Sequence, residues 1–296
     1  MKLLLLLLAL PMIGFGQNVN IPDANFKAYL VTNPSINTNG DNQIQVSEAS
    51  AFNGGIACTF SNISNLTGIE AFTALTSLVC NDNQLTSLDV SACTALTTLV
   101  CNGNQLTSLD VSACTALTVL YCYDNQLTSL DVSACTALTY LECNGNQLTS
   151  LDVSACTALT TLVCNGNQLT SLDVSSCTAL TYYLDCSNNQ LTSLDVRNGN
   201  NINMFYFFAY NNPNLSCIEV DDATWSTANW IGNNFVFDSQ HYFSNNCSGT
   251  TSIQELNTNK KLLKVTDLLG RETKATNQVL IHIYDDGTIE KKIVFE

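Results

Sequence analysis

The chain has 296 residues, of which 46% are hydrophobic and 12% charged, and its formal net charge is −15. This length and apolar content are ample for a large core. The acidic balance disfavours nucleic acid as a partner, because a surface that is short of basic residues repels phosphate.

The first predicted element is a signal peptide over residues 1–16. Lys2 precedes an apolar run that ends at Ile13, and the small residues Gly14 and Gly16 follow it. The run is too short to cross a bilayer as a stable helix. We therefore expect an exported protein with no transmembrane segment in its mature chain.

Residues 17–55 are predicted to form a small helical N-terminal cap, with a short helix from Phe26 to Leu30. The segment 37–48 resembles an EF-hand calcium loop. The resemblance implies ligands at loop positions one, three, five, seven (through the carbonyl) and twelve. These are Asn37, Asn39, Asp41, Gln43 and Glu48.

Two positions of this loop depart from the EF-hand pattern. Asn37 stands where Asp is usual, and Asn42 stands where Gly is usual. Asn tolerates left-handed backbone, so the turn should survive at Asn42. The two carboxylates, of Asp41 and Glu48, are a weak charge set for calcium. Two alternatives stay open: a site for calcium, the single cofactor considered, or a vestigial loop that joins two small helices.

A repeated phrase organises the middle of the chain. LTSLDVSACTAL begins at Leu85 and recurs unchanged at Leu106, Leu127 and Leu148, within a unit of 21 residues. A period of this size indicates stacked repeats. The pattern LxxLxCxxNxLxxLxV over about residues 56–220 resembles the leucine-rich repeat, in its internalin-like form of 21 residues, with cysteine in the third apolar position.

The repeat predicts a mainly β solenoid, because no single unit can enclose its own leucines and stacking builds one continuous core. In the unit that starts at Leu96, period two places Leu99 and Cys101 inside and Thr98 and Val100 outside. Successive strands should pair into one parallel sheet. The second half of each unit is expected to be extended or single-turn. One residue added to a later unit, in the stretch TYYL, predicts a local bulge.

Asparagine and aspartate recur at fixed positions of the unit. An asparagine after each strand is expected to satisfy backbone groups at the bend; these are Asn83, Asn104, Asn125, Asn146, Asn167 and Asn189. An aspartate ladder on the outer side should cap the following turns, with a stripe for divalent cations as the alternative. Its members are Asp89, Asp110, Asp131, Asp152, Asp173 and Asp195.

Fourteen cysteines in an exported chain raise the question of disulfides. Twelve fall in two repeated inward positions, where the alternatives are buried small hydrophobes or disulfides. We name these sets the inner ladder (Cys58, Cys80, Cys101, Cys122, Cys143, Cys164, Cys186) and the outer ladder (Cys93, Cys114, Cys135, Cys156, Cys177). Cys217 and Cys247 lie outside both ladders and are candidates for a disulfide that closes a cap.

The units stop being identical at the outward strand positions. Tyrosines and acids on a face of small residues are typical of a binding surface, since Tyr offers apolar area and a hydroxyl. Neutral drift at exposed positions is the alternative. Met204 and Phe208 are expected to continue this row of outward side chains. The predicted binding residues are Tyr121, Tyr123, Tyr140, Glu142, Tyr183, Asp185 and Tyr206.

After a predicted C-terminal cap over residues 221–250, the charge pattern changes. Residues 251–296 hold seven basic and seven acidic residues, whereas residues 17–250 hold two and eighteen. The tail, with VTDLLGRE from Val265 and its basic-apolar ending, resembles the C-terminal sorting domain of type IX secretion in Bacteroidota. The resemblance implies contact with the secretion machinery, outer-membrane passage, then removal of the tail or surface attachment. Alternating strands and an Asp-Gly turn in the tail predict a small β module. An ordinary β appendage is the alternative to a sorting domain.

No catalytic residue is predicted, because His241 and His282 lie in different modules and outside any nucleophile motif. We expect a secreted or cell-surface repeat protein that binds a protein or glycan through its strands and is not an enzyme. One alternative is a structural spacer without a specific ligand. The other is an enzyme on a β-solenoid that acts on polysaccharides, which the shortage of basic residues disfavours.

Overall fold

The computed structural model describes residues 16–247, 262–266, 279–284 and 289–293. The chain divides into two units, residues 1–247 and 248–296. The predicted signal peptide lies outside the described residues except for Gly16. Within the described part, no helix is both long enough and apolar enough to cross a membrane.

The N-terminal segment forms two short helices, α1 (Ala24–Val31) and α2 (Val46–Ala51). Asp23 caps α1, because its Oδ1 accepts hydrogen bonds from the main-chain nitrogens of Asn25 and Phe26. Its Oδ2 accepts from the main chain of residues 64 and 65. One carboxylate therefore joins the helical cap to the start of the repeats.

Between residues 16 and 247 the chain also forms thirteen short strands and the helix α3, with 3-10 turns at Ile69–Ala71 and Asn201–Asn203. The elements are β1 Gly55–Ala57, β2 Ser77–Val79, β3 Thr98–Val100, β4 Val119–Tyr121, β5 Tyr140–Glu142, β6 Thr161–Val163, β7 Ser171–Asp173, β8 Tyr183–Asp185, β9 Ser193–Asp195, β10 Tyr206–Phe208, β11 Cys217–Glu219, α3 Ala223–Asn229, β12 Phe235–Val236 and β13 Tyr242–Ser244.

Nine of these strands form a parallel sheet in the order β1-β2-β3-β4-β5-β6-β8-β10-β12. Leu99 pairs with Leu120, and both side chains are fully buried, as the repeat predicts. The register continues across the added residue, because Leu162 of β6 pairs with Leu184 of β8. The predicted bulge is therefore wrong for the sheet itself: the loop before β8 takes up the extra residue, so the strand pairing stays regular.

A second parallel sheet, which the sequence analysis did not predict, lies on the outer side in the order β13-β11-β9-β7. Two of its strands, β7 and β9, have the triplet Ser-Leu-Asp, which occurs in every regular unit. In the earlier units this triplet makes only an isolated bridge between Asp89 and Asp110 within the described residues. Identical triplets thus differ in pairing. Position in the stack, rather than local sequence, decides where this sheet forms.

The asparagine after each strand binds neighbouring turns together. The Asn104 amide nitrogen donates to the carbonyls of Cys80, Cys101 and Asn102. Its side-chain oxygen accepts from the main-chain nitrogen of Leu85 at 3.0 Å. This arrangement recurs along the stack and confirms the predicted role, since buried backbone groups need partners.

The C-terminal cap is aromatic. Trp230, after α3, is 4% exposed and packs against Phe207, Phe235 and Phe243. Cys217 and Cys247 form a disulfide with a Cα–Cα distance of 5.8 Å. These contacts cover the last turn of the leucine core.

The second unit contains three strands among its described residues, β14 Leu262–Thr266, β15 Val279–Tyr284 and β16 Ile289–Ile293. They form an antiparallel sheet in that order. The predicted Asp-Gly turn between β15 and β16 lies outside the described residues. A small β module at the C-terminus agrees with the expectation from the strand pattern.

Candidate binding face

The side chains that point away from the leucine core on the nine-stranded sheet form what we call the strand face. In β2 to β6, β8 and β10 the middle residue is buried, while the first and third are at least partly exposed, except Thr161, which is 5% exposed. The first positions are Ser77, Thr98, Val119, Tyr140, Thr161, Tyr183 and Tyr206, and the third are Val79, Val100, Tyr121, Glu142, Val163, Asp185 and Phe208.

Strand pairing brings the predicted binding residues into two groups. Tyr121 pairs with Glu142 across β4 and β5, and Tyr140 lies on the same face. Tyr183 pairs with Tyr206 across β8 and β10. The remaining two residues join these groups: Tyr123 follows β4 beside the first, and Asp185 ends β8 in the second. Only β6 lies between the groups.

An aromatic patch occupies the C-terminal end of the strand face, and we define it as Tyr182, Tyr183, Phe205, Tyr206 and Phe208. The rings of Tyr182 and Phe205 lie parallel, within 3°, with centroids 6.3 Å apart. Tyr183 contacts Tyr206 at 5.5 Å and Phe208 at 5.6 Å. Tyr182 and Phe205 are 54% and 53% exposed, so the patch offers apolar area to a partner.

Sequence reasoning missed Tyr182 and Phe205, because neither lies in the repeating outward position. The available signal was irregularity, since Tyr182 stands in the lengthened stretch TYYL and Phe205 in the divergent last unit. The outward orientation predicted for Met204 is wrong: this side chain is 6% exposed. Met204 follows a 3-10 turn and precedes β10, so strand alternation does not apply to it.

Glu142 is a charged residue of the strand face that is partly buried and lacks a partner among the described residues. Its carboxylate is partly buried and makes no hydrogen bond or ion pair with any part of the chain that the structure describes. Burial raises the pKa of this carboxyl group. Burial, followed by the negative charge of Glu142, also raises the pKa of the Tyr121 and Tyr123 phenols.

Asp185 is the second partly buried acid. Its Oδ1 accepts hydrogen bonds from the main-chain nitrogen of Ser187 at 3.0 Å and from its hydroxyl at 2.6 Å. Burial outweighs these bonds and raises the pKa of Asp185. No basic side chain compensates either acid on the strand face, since the basic residues of segment 17–247 are Lys27 and Arg197.

Those two basic residues are engaged elsewhere. Lys27 donates to Gln43 Oε1 in the N-terminal cap. Arg197, next to β9, donates to Asp195 and to Glu219 on the outer side. Within residues 16–247, no basic side chain therefore compensates the negative charge of the strand face.

The outer aspartate ladder forms turns. In the regular units, Oδ1 of each aspartate accepts from the main-chain nitrogen of the residue two positions later, as for Asp110 and Ser112 at 2.9 Å. This is the capping role that the sequence predicts. Hydrogen bonding from the Ser112 hydroxyl, followed by that from the Ser112 main-chain nitrogen, lowers the pKa of Asp110. Among the described residues there is no group of three or more His, Cys, Asp or Glu side chains that could hold a metal.

The EF-hand-like loop is held by its own hydrogen bonds. Glu48 Oε1 accepts from the main-chain nitrogens of Thr38 and Asn39, and its Oε2 accepts from that of Gln45 at the start of α2. The Asp41 carboxylate accepts from the side-chain amides of Asn39 and Gln45. Both carboxylates therefore have partners within the loop, which suits a structural cap.

The other predicted ligands of the loop are also engaged. Asn37 donates to the carbonyls of Val31 and Asp41, and the side chain of Gln43 accepts from Lys27. The left-handed residue is Gly40, with φ 71°, and not Asn42 as expected. Glycine adopts this conformation without a Cβ clash, so the turn forms earlier in the loop. Calcium binding by these residues is the alternative to a structural loop, and a titration with calcium distinguishes the two.

The twelve ladder cysteines are free and buried, which confirms the packing alternative. Burial raises the pKa of the thiols, that of Cys101 to about 12 and that of Cys114 to about 11. Thiolates are the reactive form of cysteine, so these side chains serve as core residues. The disulfide joins the two cysteines outside the ladders.

Comparisons with known proteins agree with this architecture. A family model that comprises two copies of the leucine-rich repeat matches the chain three times, over residues 73–114, 115–156 and 157–199. The functional domain of InlJ from Listeria monocytogenes, which includes a cysteine ladder, is 36% identical, with a TM-score of 0.62. The match covers 77% of this chain and 48% of that one, so this chain spans about half the length of the InlJ structure.

Two further solved structures match with lower similarity. Internalin C2 from Listeria monocytogenes str. 4b F2365 is 22% identical with a TM-score of 0.44, over 59% of this chain and 90% of that one. The leucine-rich repeat protein LIC12759 from Leptospira interrogans is 21% identical with a TM-score of 0.47, over 61% of this chain and 51% of that one. No curated protein matches the chain.

Proposed function

We propose that this leucine-rich repeat protein, whose structural neighbours are internalin-like, recognises a macromolecular partner, protein or glycan, through its strand face. The observation that supports this most is the convergence of the variable positions on one exposed face of a regular sheet. Leucine-rich repeat solenoids commonly bind proteins through extended surfaces of this kind. Because architecture alone does not determine function, the proposal also depends on the side chains that the strand face presents.

The composition of the strand face supports recognition over a passive role. Tyrosine combines a large apolar ring with a hydroxyl and is enriched where binding energy is concentrated. Tyr140 is 39% exposed, and the aromatic patch contains two rings that are more than half exposed. A spacer has no need of exposed rings, which favour aggregation.

We further propose that the protein is secreted and acts at the outer cell surface, in adhesion or recognition. The apolar N-terminal run and the similarity of residues 251–296 to type IX sorting domains support this, with the secretion machinery as a transient partner of the tail. The disulfide between Cys217 and Cys247 is compatible with an oxidising compartment. Detection of the repeats on intact cells and in medium, by an antibody against residues 56–220, would test the location.

A non-enzymatic role fits the residues best. His241 is the one histidine whose side chain is described, and its ring contacts the carbonyl of Asp238 and packs on Phe237. This is an environment of a cap residue rather than of a catalytic base. Turnover of acidic polysaccharides by the purified chain would contradict this part of the proposal.

The central experiment removes rings from the strand face. We would combine Tyr121→Ser, Tyr123→Ser and Tyr140→Ser and measure adhesion to cells and binding to arrays of glycans and extracellular proteins. We expect loss of binding. Tyr242→Ser is the matched control, because Tyr242 is 56% exposed but lies in the second sheet. Unchanged binding by the triple variant would favour a spacer without a specific ligand.

A further inference from the structure

We propose that the strand face binds an extended cationic polypeptide segment, whose two basic side chains lie three residues apart and meet Glu142 and Asp185. The backbone of the segment would cross the strands over the tyrosine rings. This inference rests on the proposed function and deepens it, because it names the chemistry of the partner.

The first step is the unpartnered Glu142. A partly buried carboxylate loses some of its hydration, and a nearby cation restores favourable interactions. Glu142 has no such partner among the described residues. It pairs in register with Tyr121 on one side and Val163 on the other. A ring and an apolar side chain thus border a carboxylate that faces away from the core.

The second step is the equivalent position of Asp185. It occupies the same register position as Glu142, two strands further along the sheet, with Val163 between them. Its Oδ2 makes no hydrogen bond within the described part of the chain, whereas Oδ1 is engaged by Ser187. Phe208 pairs with it on the far side. One carboxylate oxygen at each site is therefore free to accept from a cation.

The surrounding rings favour lysine or arginine over a small cation. A basic side chain can lay its methylene stem on apolar surface while its charged end reaches a carboxylate. Tyr121 beside Glu142, and Tyr183 with Phe208 beside Asp185, supply that surface and the possibility of cation–π contact. A neutral glycan would leave both partly buried carboxylates without a cation.

The spacing of the two acids selects the conformation of the segment. Neighbouring strands lie about 4.8 Å apart, so two positions separated by two strands lie about 9.6 Å apart. A polyproline II segment advances about 3.1 Å per residue and returns to the same face every third residue, which gives about 9.3 Å. A β-strand places side chains on one face about 6.8 Å apart, which does not match.

The experiment measures binding of labelled proline-rich peptides to the full chain by fluorescence anisotropy. One peptide carries two lysines three residues apart, a second carries them two residues apart, and a third has glutamine at the positions of the first. We expect the first peptide to bind at least about tenfold more tightly than the other two, a difference of about 1.4 kcal/mol. Its affinity should fall with added salt.

Three variants assign the contacts. Glu142→Gln and Asp185→Asn should each weaken the first peptide about tenfold, because each removes one charge pair. Asp152→Asn is the matched control: it removes the same charge from the exposed outer ladder and should change affinity less than about twofold. Asp185→Asn and Asp152→Asn each keep a side-chain oxygen for the bond from Ser187 or Ser154, so thermal melting should show that all three variants are folded.

Several results would overturn the proposal. Equal binding of lysine and glutamine peptides, equal effects of Glu142→Gln and Asp152→Asn, or no peptide binding would each contradict it. Binding of a glycan that depends on Tyr121, Tyr123 and Tyr140 would then leave the proposed function intact while removing the cationic partner. If substitution of those three tyrosines changed the binding of no ligand, the proposed function itself would be contradicted.

Discussion

The carboxylate of Asp82 covers Gly103 of the next repeat: an ideal Cβ on Gly103 would come within 2.6 Å of Asp82 Oδ1. Both residues have positive φ, 53° and 63°, and they occupy equivalent turns. The same relation recurs between Asp124 and Gly145. An aspartate in one turn therefore requires a glycine in the following turn.

This relation predicts the stability of glycine variants. Gly166 also has positive φ, but nothing lies within 3.4 Å of its ideal Cβ. We expect Gly166→Ala to lower the free energy of unfolding by about 1–2 kcal/mol, through backbone strain alone. Gly103→Ala should cost more, because Asp82 must also move. Urea unfolding measures both. In a chain that already carries Asp82→Ala, the additional cost of Gly103→Ala should fall to that of Gly166→Ala.

The asparagine that follows each strand predicts a large loss of folding stability when a single amide side chain is removed. Asn125 donates to the carbonyls of Cys101, Cys122 and Tyr123 and accepts from the nitrogen of Leu106. Asn125→Ala leaves these groups unsatisfied, so we expect a loss of about 3 kcal/mol in urea unfolding. Asn165→Ala is the control, since that side chain makes no hydrogen bond within the described residues. Similar losses for both variants would contradict the assigned role.

The cysteine ladders predict alkaline sensitivity. In the unfolded chain a thiol ionises near its ordinary value of 9.0, whereas burial raises the pKa of Cys101 to about 12. Above pH 9 the folded state therefore binds more protons than the unfolded state, so stability should fall as the pH rises from 9 to 12.

Cys101→Ala tests this dependence. It should reduce the slope by about 1.4 kcal/mol per pH unit within that window, measured by urea unfolding under reducing conditions. Val111→Ala removes buried volume but no thiol and should leave the slope unchanged. A steeper slope for Cys101→Ala than for the parent chain would contradict the assignment.

The disulfide predicts a redox-dependent cap. Cys217 and Cys247 are separated by 30 residues, and closing a loop of that length stabilises a fold by about 3.5 kcal/mol in the chain-entropy estimate. We expect Cys217→Ser to lower the melting temperature. A reducing agent should lower the melting temperature of the parent chain to that of the variant and leave the variant's melting temperature unchanged. A further decrease for the variant would implicate other cysteines.

The EF-hand-like loop predicts stability without metal. Glu48 accepts from the main chain of residues 38, 39 and 45, so Glu48→Gln should cost about 1 kcal/mol in the presence of a chelator. We expect calcium to leave the melting temperature of the parent chain unchanged. A rise with calcium that Glu48→Gln abolishes would establish the calcium site instead.

Much of the fold follows from the sequence alone. A strict period of 21 residues requires every unit to bury the same positions, so Leu99, Cys101 and their equivalents could be assigned to the core and Tyr121 and Glu142 to the exposed face. The asparagine and aspartate ladders followed from the hydrogen-bonding capacity of their side chains. Local chemistry repeated at a fixed interval is sufficient for such assignments.

The tertiary structure alone decided the features that break the repeat. The second sheet pairs Ser-Leu-Asp triplets that make only an isolated bridge in the earlier units. The ring of Tyr182 meets that of Phe205 across two irregular units. Likewise, Glu142 has no partner among the described residues because its neighbours on the adjacent strands, Tyr121 and Val163, carry no positive charge. Each depends on contacts between residues far apart in the chain, which a local pattern does not specify.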